Sequence, residues 1–170
     1  MTDGRQTPPE IAAILASYGT TVLEMIDQLD PDQLLTDGSS FTQKEFRILA
    51  LDDRAMAYLG LYYSEKILGA VDLRIFNETK EEAWRESSVA HLEKAAEYFE
   101  QYAAIINANY VPQHLARVGS FDVMEILEEV RKDVGIAQKW RPKKIQPSWN
   151  APSNTEYFRK NQTEEEKGNP

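Results

Sequence analysis

Two clusters of side chains in this chain have the chemistry to hold a polar ligand. The first follows Asp52, Asp53 and Arg54 through one apolar segment and continues with Tyr58, Tyr62, Tyr63, Glu65, Lys66, Asp72 and Arg74. Tyrosine rings offer flat apolar faces, and fixed carboxylates and cations accept and donate hydrogen bonds. That combination suits sugar rings, whose C–H faces stack while their hydroxyls need polar partners. The same residues also read as intrahelical ion pairs with the tyrosines packed as core, and both readings stand at this level.

The second cluster is Tyr110, Gln113, His114 and Arg117, the densest polar group in the chain. It falls on a connection between two well-specified helical segments, where a rigid scaffold commonly presents binding residues. In the competing reading, Tyr110 and Pro112 plug one end of the fold and Arg117 pairs with a helix C-terminus. The candidate ligand-binding residues are therefore Asp53, Tyr62, Tyr63, Tyr110, Gln113, His114 and Arg117. A third run, Lys139, Trp140, Arg141, Lys143 and Lys144 with Trp149 beyond, alternates basic and aromatic side chains as single-strand nucleic-acid or acidic-polysaccharide binders do. Against a net charge of −9 the simpler expectation is that Trp140 closes the fold and the lysines complement the negative end of the preceding helix.

Catalytic and metal chemistry find little support. The two histidines, His91 and His114, form no His-x-x-x-His or Glu-x-x-His pair, and the chain has no cysteine, which removes thiolate nucleophiles, thiolate metal sites and disulfides. No glycine-rich phosphate loop or Gly-x-Ser-x-Gly elbow is present. Asp53 and Glu65 stand on one side of a helix but about 18 Å apart along its axis, beyond the roughly 5 to 10 Å at which paired carboxylates cooperate. The expectation is a non-enzyme with no cofactor and no metal.

These residues need helices to position them, and helical signals run through the chain. Three Thr-x-x-Glu capping boxes, Thr7 to Glu10, Thr42 to Glu45 and Thr79 to Glu82, precede apolar runs. A first helix is expected from Pro8 to Leu29, with Ile11, Ile14, Leu15, Tyr18, Val22, Met25, Ile26 and Leu29 on one stripe. A turn-rich connection follows, with Leu34, Leu35 and Phe41 folded back on the core. A second helix from Thr42 to Asn77 is apolar on nearly every face, as a central helix with several neighbours should be. Gly60 and Gly69 are its weak points, each open to three readings: a bend, a close helix crossing, or an isolated helical glycine without any role.

A short stub then forces a hairpin into a third helix, Lys80 to Ala108, where Leu92, Phe99 and Ile106 recur at heptad spacing. After a loop through Gly119, a fourth helix is capped by Ser120 and ends near Lys139. No strand pattern is apparent. The fold class is all-α, an antiparallel bundle of four main helices over residues 1–140, with 141–170 as a flexible tail whose composition cannot support a core. With 42% hydrophobic residues, one core is affordable in a single domain. No secretory leader or membrane span is seen near the start, so the chain is expected to be soluble, with its compartment open. The acidic balance disfavours nucleic acid and membranes as partners.

The segments Asp53 to Ile67 and His91-Leu92-Glu93-Lys94-Ala95 through Tyr110 to Asp122 resemble the helical region at the C-terminal end of large bacterial polysaccharide-degrading enzymes, over about residues 7 to 138. The resemblance rests on aromatics, proline and arginine rather than on a catalytic signature. It implies a non-catalytic accessory module related to carbohydrate-active enzymes, one that binds glycan or braces a catalytic domain. If that enzyme is secreted, the compartment is periplasmic or extracellular. The alternative is a protein-interaction or dimerisation module, in which the surplus apolar faces of the second helix bury against another chain. The expected partners are thus an oligo- or polysaccharide, a second copy, or a parent catalytic domain.

Overall fold

The computed structural model describes residues 6–29, 40–115 and 119–144, with 40–42, 113–115 and 119–120 described through their backbone only. The described residues form four helices and a small hairpin: α1 (Pro8–Asp27), α2 (Ser40–Thr79), α3 (Glu82–Asn109), β1 (Gln113–Leu115), β2 (Gly119–Phe121) and α4 (Val123–Lys139). The all-α bundle expected from the apolar periodicity is what forms. The hairpin was not foreseen: Gln113 pairs with Phe121, His114 with Ser120 and Leu115 with Gly119. The expected positions of Leu34, Leu35 and the Phe41 side chain lie outside the described residues.

Central α2, at 40 residues, is a rod of about 60 Å. Contacts between successive helices run in opposite directions along the chain. Ser64 Oγ donates to the Ala12 carbonyl at 2.8 Å and Arg54 meets Asp27 at 2.6 Å, so α1 descends as α2 rises. Along α2 and α3, Asp52 contacts Tyr110, Glu65 contacts Lys94 and Gly69 contacts Ser88. Between α3 and α4, Arg131 reaches Glu100 at 3.2 Å. The main core lies where α2, α3 and α4 meet, from Tyr62, Ala95, Phe99, Ala103, Val123, Leu127 and Val130. Phe99 sits at the middle of the heptad seam, with its ring edge-on to Tyr62 at 4.9 Å. α1 packs on the far side of α2, away from that core.

Two close crossings set the helix spacing. A Cβ on Gly19 would meet Leu61 Cγ at 2.8 Å and the Ala57 carbonyl at 2.9 Å, and one on Gly69 would meet Leu92 Cγ at 2.9 Å. Gly69 thus marks a close crossing, one of the readings open for it. Gly60 does not, because a Cβ there would rest in ordinary contact 3.7 Å from the Leu15 carbonyl.

The helix ends depart from the expected caps. Only the first box works as one: the Thr7 N–H donates to Glu10 Oε2 at 2.7 Å. Thr42 falls inside α2, which begins at Ser40. Thr79 ends α2 rather than opening α3, its hydroxyl donating to the Ile75 carbonyl at 3.0 Å, and Glu81 is the N-cap of α3. Lys80 between them takes a positive φ of 64°. Ser120 is in β2, and the cap of α4 is Asp122, which accepts from the Met124 N–H at 2.9 Å.

The expected boundary at residue 140 also shifts. Trp140 closes the bundle as anticipated, its indole N–H donating to Asn77 Oδ1 at 3.1 Å. Beyond it, both Lys143 backbone groups bond the Asn77 side chain, each at 2.9 Å. The packed unit therefore includes part of the segment assigned to a flexible tail, and 145–170 lie outside the described residues.

Candidate functional site

Among the described residues the two polar clusters meet at one point, where the Tyr110 hydroxyl bonds Asp52, while Asp53 and Tyr63 line a separate groove. Tyr62 and Tyr63 are adjacent on α2, about 100° apart around the helix, and they part accordingly. Tyr62 is only 4% exposed and belongs to the core, with its hydroxyl accepting from Lys66 Nζ at 2.9 Å. As an accessible ligand-binding residue Tyr62 is therefore corrected: its ring is enclosed between Phe99 and Tyr63. Tyr63 is half exposed and, with Asp53, lines a groove between α1 and α2. Tyr110 lines a different cleft, between α2, α3 and the hairpin. The side chains of Gln113 and His114, and all of Arg117, lie outside the described residues.

The groove between α1 and α2 has a volume of about 550 Å³. Tyr18, Met25 and Leu29 stand along its α1 side and Met56 and Tyr63 along its α2 side, while Asp53 is the one charged residue among those lining it. Tyr18 at 69%, Met56 at 63% and Met25 at 61% exposure are unusually open for such apolar side chains. Leu49, also exposed, continues the row one heptad before Met56.

The second cleft holds about 410 Å³. Its walls are Ala55 and Met56 of α2, Tyr102 and Ile106 of α3, Val111 and Pro112 beyond it, and Phe121 and Val123 around the start of α4. Asp52, Asn107, Tyr110 and Asp122 supply the polar groups. The Tyr110 hydroxyl donates to Asp52 Oδ1 at 2.5 Å, and that bond keeps the phenol protonated above the usual tyrosine range. Tyr102 is pushed the same way by burial and by its neighbour Tyr63. Met56 lines both hollows and forms the ridge between them.

The remaining charged residues of the first cluster tie helices together. His91 on α3 has Nδ1 2.6 Å from Glu65 Oε2 and Nε2 3.8 Å from Asp72 Oδ2, while Lys94 reaches Glu65 at 3.0 Å and Ser87 donates to Asp72 at 2.6 Å. Both ring nitrogens face carboxylates of α2, so the imidazole is directed at its own protein rather than at a substrate. Lys66 bridges α2 to Asp133 of α4 at 2.8 Å. Burial opposes its charge, but the bonds to Asp133 and Tyr62 outweigh burial and raise its pKa. Among the described residues, no group of three or more His, Asp or Glu is placed to hold a metal ion, and no helix is long and apolar enough to cross a membrane.

Sequence reasoning expected one polar, aromatic hollow, whereas Tyr63 and Tyr110 line two separate clefts with mainly apolar walls. The exposed row of Leu49, Met56 and Tyr63 was legible as a heptad within an all-round apolar helix, yet which of that helix's faces lacks a neighbour depends on where α1 and α4 pack. Comparison with protein-family models, curated proteins and solved structures finds no match.

Proposed function

We propose that this chain is a helical interaction module that associates with a second copy of itself through the face formed by α1 and α2. The observation carrying this reading is the groove in which Tyr18, Met25, Met56 and Tyr63 stand open around a single charge, Asp53. Contiguous apolar surface of this kind is costly to leave in water and typically marks an interface.

A second copy suits the face for two reasons. Among the described residues α1 has a helix neighbour on one side only, and two α1–α2 pairs related by a two-fold axis would pack its other side, an isologous arrangement. The size also fits. Twenty residues of α1 extend about 30 Å, and two helices side by side are about 20 Å wide, so each copy offers on the order of 600 Å², at the lower end for a specific dimer. Methionine side chains adapt to such a contact with little strain.

The glycan-binding reading has less geometric support. Its tyrosines fall into the core and two separate hollows, and both hollows are lined mainly by aliphatic and aromatic groups with few hydroxyl-reading partners.

Light scattering across a concentration series tests the proposal. The expected mass is twice 19.4 kDa. Met56→Glu, which would place a charge against the partner's apolar face, should return the chain to a monomer with unchanged helix content. A monomer throughout the series, or a dimer indifferent to Met56→Glu, would refute it.

A further inference from the structure

The cleft beside Tyr110 has a chemistry of its own. Its volume of about 410 Å³ lies within the range of small-molecule sites. Three aromatic rings, Tyr102, Tyr110 and Phe121, and the aliphatic Ile106 enclose a body of apolar space. The charged groups lining it are Asp52 and Asp122, with no lysine, arginine or histidine among the described residues around it.

Among the described residues each of these carboxylates is engaged through one oxygen. Asp52 uses Oδ1 for the Tyr110 hydroxyl and Asp122 uses Oδ1 for the Met124 N–H, and an ionised carboxylate accepts through both of its oxygens. Two carboxylates at an apolar cavity favour a positively charged guest, and aromatic walls reinforce that preference through their negative faces. The net charge of −9 raises the local concentration of cations around the whole molecule. An anionic or neutral polar guest gains none of these terms.

We propose that this cleft is a binding site for a small apolar amine, whose ammonium group is held by Asp52 and Asp122 while its hydrocarbon or aryl body lies against Tyr102, Tyr110 and Phe121. Tyr110 acts as an internal competitor, because its hydroxyl occupies the Asp52 oxygen that an ammonium would use. The site stands independently of self-association, since Met56 alone is shared between the cleft and the α1–α2 groove.

Calorimetric titration of the full chain with three ligands of one shape tests the proposal: phenethylamine, 2-phenylethanol and 3-phenylpropionate. The amine should bind about tenfold more tightly than the alcohol, as one charge-assisted contact would give, and the carboxylate should give no heat. Asp52→Asn, which preserves shape, should bring the amine down to the affinity of the alcohol. Tyr110→Phe should strengthen amine binding by freeing Asp52. Equal affinity for amine and alcohol would reduce the cleft to an apolar hollow and overturn the proposal. So would an Asp52→Asn chain that binds the amine unchanged, or no heat from the amine at millimolar concentration.

Discussion

Asn77 holds the backbone of Lys143 from both sides. Its amide donates to the Lys143 carbonyl and its oxygen accepts from the Lys143 N–H, both at 2.9 Å, and the same oxygen takes the Trp140 indole N–H at 3.1 Å. One buried side chain at the end of α2 thus fastens the chain that leaves α4. The Lys143 ammonium lies over the Trp140 ring, 4.4 Å from its centroid, and covers the joint.

Removing this clasp should be costly. Asn77→Ala leaves three partners without their bonds in a part-buried site, an expected loss of about 2 to 3 kcal/mol. Urea unfolding followed by circular dichroism reads the loss. Tryptophan emission should move to longer wavelength already in the native baseline, as Trp140 becomes wetter.

The glycines make opposite predictions. Gly19→Ala should destabilise by about 1 to 3 kcal/mol, because its Cβ would overlap Leu61 and the Ala57 carbonyl in the crossing of α1 and α2. Gly135 in α4 has nothing within 4 Å of its would-be Cβ, so Gly135→Ala should stabilise by about 1 kcal/mol through helix propensity. Thermal denaturation of the two variants should show melting temperatures displaced in opposite directions.

Glu10 provides a pH prediction with a definite sign. The Thr7 backbone N–H, and then the Thr7 hydroxyl, hold its carboxylate below the usual 4.5. A lowered folded-state pKa means that the contribution of this cap is complete above the unfolded value and is lost as pH falls through the folded one. An NMR titration should place the Glu10 midpoint below 4.5. Thr7→Pro removes both donors while suiting the local φ of −80°, and should return the midpoint to the ordinary value.

How much of this was legible in the sequence depended on how local each signal is. Helix existence was readable, because Leu92, Phe99 and Ile106, or Val123, Leu127 and Val130, repeat within a single element. Caps were less so. Thr79 closes one helix just before another opens: its hydroxyl donates to the Ile75 carbonyl behind it, and of the N–H groups ahead it accepts that of Glu81, the N-cap, rather than one in the first turn of α3. Gly19 carried no mark of its crossing, since the overlap involves backbone and side chain about forty residues away on another helix. The tyrosine pair shows the same limit at the candidate site. Adjacent helical residues diverge, so one of Tyr62 and Tyr63 had to turn inward, but only the packing of α3, whose Phe99 meets the ring, decided that it was Tyr62. The Asp52 and Tyr110 contact joins residues 58 apart in the chain, a distance no local pattern spans.

The absence of cysteine makes the face of self-association directly measurable, because a nitroxide can be placed at one chosen site. Spin-labelled Asp53→Cys chains without isotope are mixed with unlabelled-cysteine-free, isotope-enriched chains, and the amides that broaden report the surface of the other copy. The account predicts broadening at Tyr18, Met25, Met56 and Tyr63, with Glu129 and Lys132 on the outer side of α4 unaffected. Uniform or absent broadening, or broadening confined to α4, would contradict it.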